Sequence, residues 1–437
     1  MSESDRTSNK LDRRDFFKTA GAGLTAAGVM LTPRERAIAQ SLIEKARFER
    51  IAGCTWPIRT IFKNRQNPNR GGGAGRRGGG AAGAAGAAGA AGGRPGGAPA
   101  GGGRAAGGRE GAGPEAAQLP PGIVMPTPPA NQDRTSSAEM KQKYGEITML
   151  DYPKWMQDNF PGLTRMDIFS GLFGDVTDDS MFITAAQAGG GGAGFDPMSA
   201  SGRKWLDKMA NTLVTTGTKV QHISNNAPFS LADWGSPEAD ARRKAGVAMA
   251  KRWIEGCSVL QPVSMRMNSP QALGPSIRPN AIPRGGDGYP RNLEIVPLLN
   301  AAIESYKEMA DFGGKYGVKV TFENHWGLAA DPMNIRIMID TVNHPYCNAT
   351  PDFCNWEHEY MLFNGLKALA PYTTSNVHAK YWDRWGDKND VQRSVRIMLA
   401  AGFNGTFALE YEAGPLNGVE GAKYLYKEVL AALTAWT

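Results

Sequence analysis

The chain has 437 residues, of which 41% are hydrophobic and 21% charged, a composition typical of a globular protein with a sizeable core. Its formal net charge of +7 is uneven, because residues 1–145 carry 22 Lys and Arg against 11 Asp and Glu, whereas the remainder carries 27 against 31. The part expected to fold is therefore mildly acidic, which argues against a nucleic-acid-binding protein. The four cysteines show no CxxC spacing and are expected to be buried and free.

The N-terminus has the three parts of an export signal. A basic segment with the paired Arg13 and Arg14 precedes an apolar stretch over 19–31, and small residues precede Gln40 as at a cleavage site. Paired arginines followed by Phe-Phe-Lys resemble a twin-arginine signal, which exports proteins already folded. We therefore expect residues 1–40 to direct the chain through the twin-arginine translocase to the periplasm or another extracytoplasmic site. An uncleaved signal would instead remain as a membrane anchor.

A strand predicted at 48–56 is followed by a segment of unusual composition. Residues 64–145 consist mainly of Gly, Ala, Arg and Pro, including an Ala-Ala-Gly run at 81–92. Such a segment buries too little apolar surface to offset the entropy lost on ordering, so we expect it to be disordered. It would form an insertion in the first strand–helix connection.

Strand and helix patterns alternate through the rest of the chain. Including the first, strands are predicted at 48–56, 165–170, 219–224, 262–267, 318–323, 348–353, 375–380 and 406–410. Helices are predicted at 149–159, 202–216, 237–259, 294–316, 334–342, 360–370, 390–401 and 418–436. This alternation predicts an α/β fold, a single (β/α)₈ TIM barrel over 41–437, with its active site at the carboxyl ends of the strands.

The last four strands each end in a charged or coordinating residue. Strand periodicity directs Glu323, Asp352, His378 and Glu410 toward one point in the barrel mouth. Three converging carboxylates would repel one another unless a cation neutralised them, and three carboxylates with one imidazole suit a hard or borderline divalent ion. We expect one such ion, Mn²⁺ in the first instance, with Co²⁺, Zn²⁺ or Mg²⁺ as alternatives.

The motifs around these residues are more specific. Glu-Asn-His at 323–325, Asp-x-x-Asn at 352–355, His-x-Lys at 378–380 and Gly-x-x-x-Leu-Glu at 405–410 resemble the xylose isomerase-like superfamily of sugar isomerases and epimerases. The resemblance implies that the same four residues bind one metal. It also implies that Glu323 and Glu410 exchange the proton at the carbon beside the substrate carbonyl.

Four further residues are candidates for substrate contact. His325 and His222 end strands at the mouth, and Lys380 is placed to meet developing oxyanion charge, although a structural ion pair would explain it equally well. Asn355 departs from the pattern, because many members of the superfamily have His there. Other residues of the early loops carry no reliable assignment; they are Trp56, Asp167, Asp233, Trp234 and Arg266.

The expected function is isomerisation or epimerisation of a free sugar or keto-sugar by abstraction of the proton α to a carbonyl. Elimination from an oxidised glycoside would use the same metal and base and stays open. A metal-dependent phosphodiesterase or endonuclease would need a larger ligand set than five histidines supply. A non-catalytic sugar-binding barrel is a further alternative. The expected partner is a small carbohydrate, not nucleic acid, and a homo-oligomer is compatible with the sequence.

Overall fold

The computed structural model describes residues 33–63, 132–183, 194–225, 238–267, 296–325, 327–356, 358–383 and 388–436. Most of the predicted export signal, residues 64–131 of the predicted insertion, and both Asp233 and Trp234 lie outside these ranges. Within them, no helix combines the length and apolarity needed to cross a membrane. All four cysteines are buried and free, as predicted.

Eight parallel strands form the centre of the fold. They are β1 (Ile51–Cys54), β2 (Arg165–Phe169), β3 (Lys219–Ser224), β4 (Ser264–Arg266), β5 (Lys319–Phe322), β6 (Cys347–Ala349), β7 (Asn376–Trp382) and β8 (Thr406–Ala413). Their order in the sheet is β6-β5-β4-β3-β2-β1-β8-β7. The two edge strands meet through parallel bridges, Ala349 with Thr373 and Asp352 with His378. The sheet therefore curls round on itself, as a TIM barrel requires.

Helices connect and cover these strands. They are α1 (Pro33–Phe48), α2 (Ser137–Tyr144), α3 (Tyr152–Asn159), α4 (Ala200–Thr216), α5 (Ala239–Cys257), α6 (Val296–Tyr316), α7 (Pro332–Val342), α8 (Met361–Leu369), α9 (Val391–Ala400) and α10 (Gly418–Trp436). A short antiparallel ribbon, Phe182–Ile183 with Gly194–Phe195, lies between β2 and α4.

Local sequence explains where these helices begin and end. The hydroxyl of Ser199 caps α4 by accepting the N–H of Gly202, and Gly217 ends it with φ 65°, a left-handed conformation that glycine adopts without strain. Trp205 and Met209 of the same helix recur at a spacing of four and are buried, with the Trp205 ring packed against Phe173 and Phe195. Such an apolar stripe is what fixes the face that each outer helix turns toward the barrel.

Several predicted boundaries need correction. The strand predicted at 48–56 spans only Ile51–Cys54, and Phe48 instead ends α1. The strand predicted at 348–353 ends at Ala349, so Asp352 lies in the connection beyond β6. The helix predicted from residue 149 begins at Tyr152, because Pro153 fits only the first turn of a helix.

The predicted disordered insertion also ends earlier than residue 145. Residues 137–144 form α2, which starts with a reciprocal capping box between Ser136 and Glu139. Met140 is buried, and the hydroxyl of Tyr144 donates to Glu420 of α10 at 3.0 Å. One apolar anchor and a good cap thus hold this helix on the barrel despite the polar composition around it.

Candidate active site

The four predicted metal ligands meet in the barrel mouth. Glu323 directly follows β5, Asp352 lies just beyond β6, His378 is in β7 and Glu410 in β8. The Nδ1 atom of His378 lies 3.0 Å from Glu410 Oε2, 3.3 Å from Glu323 Oε1 and 3.9 Å from Asp352 Oδ2. All four side chains are buried. Strands far apart in sequence therefore deliver three carboxylates and one imidazole to a single point.

The donor set fits a divalent cation. Ligand atoms of Glu323, Asp352 and His378 all lie within 4.8 Å of one another. Within the described part of the chain, the buried Nδ1 of His378 has no hydrogen-bond partner although carboxylate oxygens surround it. A ring nitrogen that faces carboxylate oxygens without a hydrogen bond is suited to share a cation with them. Three carboxylates with one imidazole suit Mn²⁺, Co²⁺, Mg²⁺ or Zn²⁺.

Two permanent cations balance part of the negative charge. Arg266 of β4 donates to Glu323 Oε2, and Lys380 of β7 lies 3.0 Å from both Asp352 Oδ2 and Glu410 Oε1. Burial alone would raise the pKa of Glu323, but Arg266 and His378 together outweigh it and hold that pKa well below its usual range. Glu323 is therefore ionised at neutral pH.

The pKa values of Asp352 and His378 are also shifted. Burial raises the pKa of Asp352 to about 7, with Lys380 acting in the opposite direction. Burial would lower the pKa of His378, but the carboxylates of Glu410, Glu323 and Asp167 outweigh it and raise that pKa well above the ordinary value. Without a metal, the cluster thus favours bound protons, which indicates an excess of negative charge that a divalent ion would neutralise.

Asn355 joins the ligands to one another. Its amide nitrogen donates to Glu323 Oε1 and to Asp352 Oδ2, both at 3.0 Å, and its oxygen accepts from Lys380 at 3.1 Å. The main-chain N–H groups of Cys354 and Asn355 also donate to Asp352 Oδ1. In this arrangement Asn355 orients two carboxylates. A contact between Asn355 and substrate stays a prediction.

The two other predicted substrate residues differ in position. His222 of β3 is completely buried; its Nδ1 pairs with Ser264 Oγ at 2.7 Å, and burial lowers its pKa to about 4, so the ring is neutral at pH 7. His325 lies two residues beyond Glu323 at the rim, where loss of hydration lowers its pKa to about 4 as well. Only His325 is partly exposed, which makes it the better placed of the two for substrate.

Several polar residues of the site were given no role from the sequence. Asp167 of β2 lies behind His378, 3.0 Å from its Nε2 atom. Trp56, beyond β1, donates to Glu412 Oε2 at 2.6 Å, and Glu412 lies 3.5 Å from Lys380. A charge within an otherwise apolar buried strand, as at Asp167, was the signal available in the sequence. The partners of these residues could not be identified from the sequence, because they come from distant strands.

Comparison with known proteins adds a family assignment. Residues 182–435 match the family model described as xylose isomerase-like TIM barrel. A search of curated proteins finds no match. Similar solved structures include a xylose isomerase-like TIM barrel protein from Mycobacterium smegmatis in complex with magnesium, at 16% identity and TM-score 0.43, covering 66% of this chain and 91% of that one.

Two others are sugar epimerases. One is an apo 3-keto-D-glucoside 4-epimerase from E. coli, at 14% identity and TM-score 0.45, covering 66% of this chain and 94% of that one. The other is a D-psicose 3-epimerase from Clostridium cellulolyticum H10 with D-tagatose, at 13% identity and TM-score 0.42, covering 65% of this chain and 92% of that one. Since the family model matches more than half of its residues, the chain belongs to the xylose isomerase-like TIM barrel family.

Proposed function

We propose that this protein is an enzyme that uses one divalent metal ion to move the proton on the carbon beside a sugar carbonyl, as isomerases and epimerases do. The observation that carries this proposal is the meeting of Glu323, Asp352 and Glu410 around Nδ1 of His378, which has no hydrogen-bond partner among the described residues. In this proposal these four residues hold the ion, with Mn²⁺ the expected metal.

The proposed chemistry needs a base and an acid next to the ion. A bound divalent ion would polarise the carbonyl and a neighbouring hydroxyl and so make the C–H between them more acidic. Glu323, which is paired with Arg266, or Glu410 takes the proton from that carbon as a carboxylate. The other glutamate, in its protonated form, returns a proton to the carbon. Lys380 lies 3.0 Å from Glu410 Oε1, where its charge stabilises negative charge that develops on substrate oxygen.

The site supports a free sugar or keto-sugar as the substrate class. Polar donors at the mouth, His325 and Lys380 among them, would contact substrate hydroxyls. Elimination from an oxidised glycoside begins with the same proton abstraction and is a second outcome of the same geometry. The proposed export route favours a sugar without phosphate, because phosphorylated sugars are cytoplasmic. In this proposal the protein acts outside the cytoplasm.

The ligand set argues against a three-metal endonuclease. Beyond the four ligands, Asp167 and His222 are the groups that cluster near the centre in the described ranges. The half-buried His344 instead lies 3.4 Å from the exposed Asp311, and the ring of His358 stacks on Tyr360. Neither belongs to a candidate ligand cluster among the described residues.

The first experiment measures metal content and proton exchange in the purified full chain. We expect about one equivalent of divalent metal, lost in His378→Ala and retained in His344→Ala, which removes a histidine remote from the centre. With metal bound, a panel of sugars and keto-sugars in D₂O should show metal-dependent deuterium uptake at one carbon. Absence of metal after reloading would refute the proposed site. Metal without exchange on any sugar, keto-sugar or oxidised glycoside would refute the proposed reaction alone.

A further inference from the structure

The imidazole of His378 has a second polar contact on the side opposite the proposed metal. Its Nε2 lies 3.0 Å from Asp167 Oδ2, and both side chains are completely buried. Asp167 comes from β2 and His378 from β7, so the contact crosses the interior of the barrel. The two ring nitrogens therefore face different environments: Nδ1 faces three carboxylates, whereas Nε2 faces one.

Two further residues hold the carboxylate of Asp167 in place. Asn376, also in β7, donates its amide to Asp167 Oδ2 at 2.8 Å, and the hydroxyl of Ser224 in β3 donates to Oδ1 at 2.9 Å. Ser224 Oγ also lies 3.4 Å from His378 Nε2. Asp167 thus receives donors from two other strands, and its orientation does not depend on His378 alone.

A neutral imidazole carries one N–H and one acceptor nitrogen, and its neighbours decide which nitrogen is which. With a cation between Nδ1 and its three carboxylates, the Asp167 carboxylate beside Nε2 would hold the N–H there, and the lone pair would lie on Nδ1. We propose that Asp167 is a positioning residue that keeps the proton of His378 on Nε2 and so directs its Nδ1 lone pair toward the metal. This inference rests on the proposed metal site and adds to it a residue that does not itself bind the ion.

A second ion is the alternative explanation of the same atoms. Asp167, His222 and His378 also lie within 4.8 Å of one another, and His222 Nε2 has no hydrogen-bond partner among the described residues. That arrangement would require His378 to bind metal through both ring nitrogens. The direct contact between Nε2 and Asp167, together with the donors on both oxygens of that carboxylate, favours a hydrogen bond instead.

Comparison of two substitutions separates the effect of the hydrogen bond on metal affinity from the effect of the negative charge. Asp167→Asn and Asp167→Ala remove the same negative charge. In Asp167→Asn, however, the amide oxygen can still accept from Asn376 and His378, while its NH₂ donates to Ser224. We expect metal affinity, measured by competition with a chromophoric chelator, to fall about 10- to 100-fold in Asp167→Ala. We expect most of that affinity to be retained in Asp167→Asn, and the visible bands of bound Co²⁺ to change only in Asp167→Ala.

Two controls monitor folding and metal stoichiometry. Asp196→Ala removes a buried aspartate whose carboxylate pairs with Arg252 at 2.7 Å and accepts the N–H of Met198, and it should leave metal affinity unchanged. Ser224→Ala removes one donor to Asp167 and should weaken metal binding less than Asp167→Ala does. It also provides a milder variant if Asp167→Ala does not fold. Equal losses in the two Asp167 variants, or no loss in either, would overturn the inference.

Wild-type protein with two equivalents of metal, one of them lost in His222→Ala, would also overturn it, because Asp167 would then be a ligand. Metal affinity is measured without any sugar, so these outcomes are independent of the proposed reaction. A wild-type chain that binds no metal would refute the site itself. A wild-type chain that binds metal but exchanges no sugar proton would refute the reaction and leave the role of Asp167 intact.

Discussion

Each glutamate of the proposed acid–base pair divides its oxygens between two kinds of partner. Glu323 directs Oε1 to His378 and Oε2 to Arg266, and Glu410 directs Oε2 to His378 and Oε1 to Lys380. One oxygen of each is therefore available to a metal while the other stays paired with a permanent cation. This similarity suggests that the two carboxylates perform comparable tasks on the substrate, as a base and its complementary acid.

Substitution of either glutamate tests that pairing. We expect Glu323→Gln and Glu410→Gln each to reduce the rate of sugar proton exchange by about 10²- to 10⁴-fold at saturating metal, because an amide cannot carry the proton. Glu255→Gln, at a half-buried residue paired with Arg203 at 3.4 Å, is the matched control. Full exchange activity in either variant would remove that residue from the proton-transfer step.

The Arg266–Glu323 pair also predicts an effect on stability. Arg266→Met leaves a buried carboxylate without its cation, and we expect the free energy of unfolding of the metal-free protein to fall by about 3–5 kcal/mol. Adding Glu323→Gln should recover part of that loss, because the uncompensated charge is then gone. Denaturant unfolding in the presence of a chelator measures both. A double variant no more stable than Arg266→Met would contradict this explanation.

At the scale of helices and strands, hydrophobic pattern predicted the barrel well. In the sequence, parallel strands that are buried on both faces are short apolar runs between turn residues. For this reason β3 was predicted with its observed ends. The four proposed metal ligands could be found from the sequence because each follows or interrupts such a run. The contact between Asp167 and His378 could not be predicted from the sequence. It joins residues 211 positions apart across the barrel and depends on strand order and register.

Helix α2 shows how a short local signal outweighs composition. We expect Met140→Ala to lower the free energy of unfolding by about 2–5 kcal/mol, because it removes the buried anchor of this helix. Ser136→Ala, which removes the cap, should cost about 1 kcal/mol. Ser137→Ala, at an exposed position in the same helix, is the control and should have little effect. If none of the three changes stability, α2 contributes nothing to the folded barrel.

For the molecule as a whole, metal binding should be coupled to stability. An ion that binds only the folded chain stabilises it by about 2.7 kcal/mol at a concentration 100 times its dissociation constant. We therefore expect Mn²⁺ to raise the thermal unfolding temperature of the wild type and to leave that of His378→Ala unchanged. Calorimetry with and without a chelator measures this difference. An equal rise in both proteins would place the stabilising ion elsewhere.

A second prediction for the whole molecule concerns the insertion. The chain enters it after Lys63, whose N–H donates to Ile147 O at 2.9 Å, and leaves it before Asp133, whose N–H donates to Gly414 O at 2.7 Å. Its Gly- and Ala-rich composition predicts no packed core. Replacing residues 64–131 with a Gly-Ser linker should therefore leave the unfolding temperature unchanged. A drop of several degrees would show that this segment packs against the barrel.

The paired cations of the mouth have a consequence for the order of assembly. Arg266 and Lys380 already contact Glu323, Asp352 and Glu410, so the carboxylates have partners before any ion arrives. Folding and metal acquisition are then separable events. A chain that leaves the cytoplasm folded, as proposed here, could be exported as a stable precursor and take its ion from whatever the outer compartment supplies. The metal in the working enzyme would in that case reflect where the protein ends up, not where it was made.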